Sequence, residues 1–63
     1  MNETEARGIL GNAIQPDNGL YDLSGYLFWD KTDGTDEITL DGRFSADDLE
    51  AYVWWMNNKG EKP

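Results

Sequence analysis

Thirteen carboxylates and eight aromatic rings, with no cysteine and no histidine, are the chemistry-bearing groups of this 63-residue chain. Thiol and imidazole nucleophiles, disulfides and the usual zinc ligand sets are thereby excluded. Two carboxylates can work as a general acid and base pair, but acids this frequent will pair by chance. The chain also lacks a serine nucleophile elbow and a glycine-rich phosphate loop. No catalytic residue is assigned, and the chain reads as non-enzymatic. One spacing does suggest a ligand. Glu37 to Asp48 overlays a twelve-residue calcium loop, with Asp41 at position 5, Gly42 at the turn position, Phe44 at position 8, Ser45 at position 9 and Asp48 at position 12. The first half departs from that pattern, with Glu37 where Asp is needed and Thr39 at position 3, and Asp48 is too short for a bidentate grip. A strand through Ile38 and Leu40 accounts for the same residues, so no metal ligand and no cofactor are assigned. A degenerate EF-hand-like loop stays as a minor alternative.

Charge narrows the partners. Five Lys plus Arg leave a formal net charge of -8. Between residues 16 and 43 stand Asp17, Asp22, Asp30, Asp33, Asp36, Glu37 and Asp41 against Lys31 and Arg43. Contacts to phosphate need cations that displace counterions, so direct nucleic-acid binding is disfavoured and a basic partner is favoured. The competing account is that the acid serves solubility alone. No apolar run approaches the roughly 20 residues of a membrane span. The opening MNETEARG is not the basic-then-apolar start of a secretion signal. The expectation is a soluble, cytoplasmic protein.

The elements that position these groups can be read from caps and periodicity. Asn2 caps a first helix to about Gln15, with Glu5 as its capping-box partner and Ala6, Ile9, Leu10 and Ala13 as the inward stripe. Gly8 and Gly11 lie off that stripe, read as weak surface positions with a close approach of another backbone as the alternative. Gln15-Pro16-Asp17-Asn18-Gly19 ends the helix with turn chemistry. Tyr26 to Asp30 reads as a strand with Leu27 and Trp29 on one face and Tyr26 and Phe28 on the other. Asp33-Gly34 marks a turn, and Glu37 to Asp41 returns as a second strand with Ile38 and Leu40 inward.

The last helix is the best specified. Ser45 is its N-cap, Asp48 the capping-box acid, Asp47 a further first-turn acid, and Phe44 with Leu49 a hydrophobic staple. It runs to about Asn58, with Gly60 past its end and Lys59 and Lys62 near its negative pole. On a helical wheel Leu49, Tyr52, Val53 and Met56 form the expected core stripe, with Trp55 at its shoulder. Trp54 points out among Asp47, Glu50, Asn57 and Asn58. An outward tryptophan beside acids suits an interface anchor; it suits equally a ring folded back over a thin core.

The stretch DEITLDGRFSADDLEAYVWWMNNK resembles small proteins encoded by phages and prophages, which share a strand, a Leu-Asp-Gly turn, a capped Ala-Asp-Asp/Glu-Leu-Glu-Ala helix and a paired Trp before Met. The likeness covers roughly residues 36 to 59 and carries no activity with it. It implies a small accessory protein in the cytoplasm of a bacterial host, from a class whose members often bind and inhibit host proteins, some by imitating the charge of DNA.

The sequence therefore predicts one α+β domain over residues 1–63, of order helix, two-stranded antiparallel hairpin, helix, with both helices on one face and residues 60–63 as a flexible tail. The expected function is an acidic interaction module for a basic host-protein surface, through Trp54, Glu50, Asp47, Asp30, Asp33 and Asp36. The alternative is a self-assembling homodimer that pairs the open hairpin edge or the Trp54 surface.

Overall fold

The computed structural model describes residues 1–30 and 37–59. The Asp33-Gly34 turn, the acids Asp33 and Asp36, and the tail 60–63 with Gly60 and Lys62 lie outside the described residues. The order of elements is α1 (Glu3–Leu10), a 3-10 turn (Gly11–Ala13), β1 (Tyr21–Asp22), β2 (Leu27–Asp30), β3 (Glu37–Leu40) and α2 (Ala46–Lys59).

Helix α1 starts as its capping residues require. The Glu5 N–H donates to Asn2 Oδ1 at 2.8 Å and the Asn2 N–H to Glu5 Oε1 at 3.1 Å, which satisfies two amides that the first turn leaves without helical partners. The helix ends at Leu10, short of the expected Gln15. Gly11 closes it at φ 55° and ψ -123°, a conformation that favours glycine. Ala13 reaches the core through the 3-10 turn, while Ile9, expected inside, is exposed. The inward face of so short a helix is centred on Ala6 and Leu10, one turn apart, and Ile9 lies about 100° round from Leu10.

The sheet has three antiparallel strands in the order β1-β2-β3, where a two-stranded hairpin was expected. The additional strand comes from the connection between the first helix and β2, for which the sequence predicts no element. The Asn18 N–H donates to Gln15 O and the Gln15 N–H to Gly19 O, both at 2.9 Å, and Asn18 takes φ 65°. This reversal brings Leu20 back against Ile14 and lays the next residues along β2, where the Trp29 N–H donates to Leu20 O at 3.1 Å. Asp22 then turns the chain into β2: its Oδ1 accepts from the Ser24 N–H at 2.9 Å and from Ser24 Oγ at 2.8 Å. That is Asx-turn chemistry. It was present in the sequence as Asp22-Leu23-Ser24-Gly25, and is the signal that could have found β1.

The β2–β3 register pairs Leu27 with Leu40, Phe28 with Thr39, Trp29 with Ile38 and Asp30 with Glu37. As alternation predicts, Ile38 and Leu40 pack on the core and Glu37 and Thr39 are exposed; of the two apolar faces of β2, between which alternation does not choose, that of Leu27 and Trp29 is the buried one. At the far end of the pair Gly42 lies beside the Gly25 backbone at φ 133°, a conformation that favours glycine.

Helix α2 begins at the expected capping box, Asp48 N–H to Ser45 Oγ at 3.0 Å and Ser45 N–H to Asp48 Oδ2 at 3.1 Å. Its rotation differs from the expectation. Ala51, Tyr52 and Trp55 are the buried residues, whereas Leu49 and Val53 are exposed and Met56 only packs on the core's margin. The helix is turned by about 100°, one residue's worth. The staple's Leu49 is therefore on the surface, and Phe44 instead sets its ring edge-on to Tyr52 at 5.8 Å.

Trp55, wholly buried, explains the choice. Its Nε1 donates to Asn18 O at 2.8 Å, tying α2 to the turn ahead of β1. The Arg7 guanidinium lies 5.0 Å from its ring centroid and Lys59 Nζ 6.0 Å. Glu3 holds both cations, at 2.8 Å from Arg7 Nε and 2.9 Å from Lys59 Nζ. Ala6 and Ala51, both wholly buried, have nothing beyond Cβ to hold α1 and α2 apart. Both helices and the inner face of the sheet close one core: Ala6, Leu10, Ala13, Leu20, Leu27, Trp29, Ala51, Tyr52 and Trp55.

Candidate partner-binding surface

Turning Trp55 inward leaves α2 with an apolar strip that the core does not use. Leu49 is 43% and Val53 57% exposed, and they stand one helical turn apart. Trp54, for which the sequence allows either an outward anchor or a ring folded back over the core, is half-buried and packs against the core with its ring tilted 52° to that of Trp55 at 6.3 Å. Met1, itself 40% exposed, joins Leu49, Val53 and Trp54 round a shallow groove whose polar rim is Glu50, Asn57 and Asn58. Asn58 Nδ2 donates to Trp54 O at 2.8 Å, closing the last turn of α2 beside that ring.

Of the residues assigned to partner binding from sequence, Trp54 and Glu50 share this groove. Asp47 is exposed one turn before Glu50 and does not line it. Asp30 is in a different place, at the end of β2 opposite Glu37, and Asp33 and Asp36 lie outside the described residues. Sequence reasoning missed Leu49, Val53 and Met1. Leu49 and Val53 had been given to the core, and the one signal against that was the length of the apolar run round α2, which leaves its inward direction undetermined.

Cations are few on the described surface, and most of them are engaged. Of Arg7, Arg43 and Lys59, two are held by Glu3 beside Trp55. Glu3 is correspondingly held below the usual carboxylate range, first by the hydrogen bond from Lys59 and then by that from Arg7. Asp22 is lowered by the backbone and hydroxyl donors of Ser24. A polar groove beneath the β1–β2 turn collects Asp22, Ser24, Arg43, Asp48 and Tyr52. Burial, with Asp48 and then Asp22, pushes the Tyr52 phenol up, so it stands there as a neutral hydrogen-bonding group at neutral pH. The residues that overlay a calcium loop have other duties: Glu37 to Leu40 form β3, and Asp48 accepts the Ser45 N–H. Among the described residues no three acids cluster closely enough to hold a metal ion, and no helix is long and apolar enough to cross a membrane.

In comparisons with protein families, curated proteins and solved structures, the chain matches none.

Proposed function

We propose that this chain is a small acidic interaction module, a modulator of a bacterial host protein, which docks its α2 groove on a basic surface of that partner. The observation that carries the reading is the strip Leu49, Val53 and Trp54 with Met1: apolar side chains left on the surface of a 63-residue chain of net charge -8, rimmed by Glu50 and Asn57. Desolvating such a strip supplies contact energy, and the surrounding acid steers a cationic partner to it. The resemblance of residues 36 to 59 to phage and prophage proteins makes the host proteome the place to look, with imitation of DNA charge as one form the contact could take.

The test is capture of a partner from a bacterial lysate, followed by binding rates at two salt concentrations. Trp54→Ala and Val53→Lys are expected mainly to speed dissociation, and Glu50→Lys or Asp47→Lys to slow association and weaken its salt dependence. Unchanged rates for Trp54→Ala and Val53→Lys, with the circular dichroism spectrum of the parent, would remove the helix face from the contact. One observation favours a second reading: among the described residues β3 is the last strand of the sheet, paired on one side, and such an edge can pair with its copy. Self-repulsion at -8 opposes this. Sedimentation as a monomer at working concentration would set it aside.

A further inference from the structure

The sheet has a second apolar surface on the side away from the helices. Register and alternation put Tyr21 of β1, Phe28 of β2 and Thr39 of β3 side by side there. Tyr26 continues the β2 row, and Asp41, whose N–H donates to Tyr26 O at 2.9 Å, continues the β3 row opposite it. Tyr21, Tyr26 and Phe28 are 40%, 39% and 39% exposed. Tyr21 stands edge-on to Tyr26 at 6.5 Å and 72° and to Phe28 at 6.2 Å and 81°. The row ends in acid both ways, with Asp41 beside Tyr26 and the opposed pair Asp30 and Glu37 beyond Phe28.

We propose that this face docks an extended cationic segment of a partner protein, two basic side chains straddling the aromatic row and an apolar one seated on it. Exposed π faces attract ammonium and guanidinium groups, and carboxylates at the ends of the row give those groups charge-assisted hydrogen bonds. Spacing sets the pattern. Glu37 and Asp41 lie four residues apart along β3, about 13 Å at 3.3–3.4 Å per residue. An extended ligand presents residues i, i+2 and i+4 on one side over the same length, so the pattern is basic-x-apolar-x-basic. A single-stranded nucleic acid would stack on such rings but needs cations along its backbone, and this face carries none among its described residues. A second copy would bring the same carboxylates against their own kind. Three rings each about two-fifths exposed offer roughly 250 Å², short of the ~800 Å² per partner of a stable dimer. The inference shares with the α2 reading only the basic character of the partner and stands without the contact at Trp54.

The experiment is a titration of the full chain, followed by amide chemical shifts at low and physiological salt, with the peptide Gly-Ser-Arg-Ser-Leu-Ser-Arg-Ser-Gly. The control is a peptide of equal composition with its arginines adjacent. Shifts centred on Tyr21, Tyr26, Phe28 and Thr39, weakened about tenfold or more by Phe28→Thr and by Glu37→Lys, are the expected result. Both substitutions are at exposed strand positions, and the unliganded spectrum reports whether each variant has folded. Equal binding of the control peptide, no binding, or self-association that Phe28→Thr abolishes would each overturn the proposal. Shifts confined to Leu49, Val53 and Trp54 would overturn it too, while leaving the α2 reading standing. A response here with no effect of Trp54→Ala on partner capture would do the reverse.

Discussion

Replacing Trp55 by Phe tests how α2 is oriented, because the two adjacent tryptophans separate two rotations of that helix. Trp55 is wholly buried and its Nε1 donates to Asn18 O at 2.8 Å. Phenylalanine keeps an aromatic ring there but loses that bond, worth about 1 kcal/mol, and leaves Asn18 O to find another donor. The volume lost, with its incompletely collapsed cavity, adds roughly 1–2 kcal/mol. The expected total is about 2–3 kcal/mol, a large share of the 3–9 kcal/mol implied for this length by ~0.05–0.15 kcal/mol per residue. Urea melts followed by far-ultraviolet circular dichroism read it without relying on the tryptophans removed. With a slope of about 1 kcal/mol/M for so small a chain, the midpoint falls by roughly 2–3 M. Val53→Ala, at a site 57% exposed, is expected to stay within about 0.5 kcal/mol. Had the stripe been Leu49, Tyr52, Val53 and Met56, Val53→Ala would cost more than this and Trp55→Phe less. A Val53→Ala loss equal to that of Trp55→Phe refutes the observed rotation.

Two further expectations follow from backbone and phenol. Gly8 is inside α1 with open space where a Cβ would go, so Gly8→Ala should stabilise by about 0.5–1 kcal/mol, whereas Gly11→Ala, with equal space but φ 55°, should destabilise by about 1 kcal/mol or more; paired melts of the two variants decide. Burial, then Asp48 and Asp22, raise the Tyr52 phenol above the ordinary tyrosine range. The stability it contributes is therefore complete below the unfolded pKa and is lost as pH rises through the higher folded one. Thermal melts from pH 8 to 11.5 should show a steeper alkaline loss in the parent than in Tyr52→Phe, and identical profiles would remove Tyr52 as the cause.

Features made by neighbours in sequence were legible in the sequence. Both capping boxes, Asn2 with Glu5 and Ser45 with Asp48, are contacts across three residues, so they form wherever the local backbone allows. The inward pair Ile38 and Leu40 follows from period-two alternation; for β2, apolar on both faces, alternation leaves two choices, and the pairing of Leu27 with Leu40 and Trp29 with Ile38 selects one. Helix α2 had no such restriction. Apolar residues run from Ala51 to Met56 with Leu49 before them, so several directions round the helix bury comparable area. Contacts distant in sequence, Asn18 O for Trp55 Nε1 and Arg7 over its ring, select one of them. The same selection places Leu49 and Val53 on the surface, so the candidate groove with Trp54 and Glu50 could not be read from periodicity. β1, two residues long, is too short to show a period and exists through its pairing with β2. Local hydrogen bonds are written in adjacent residues; which face of an element is buried depends on what else the chain brings against it.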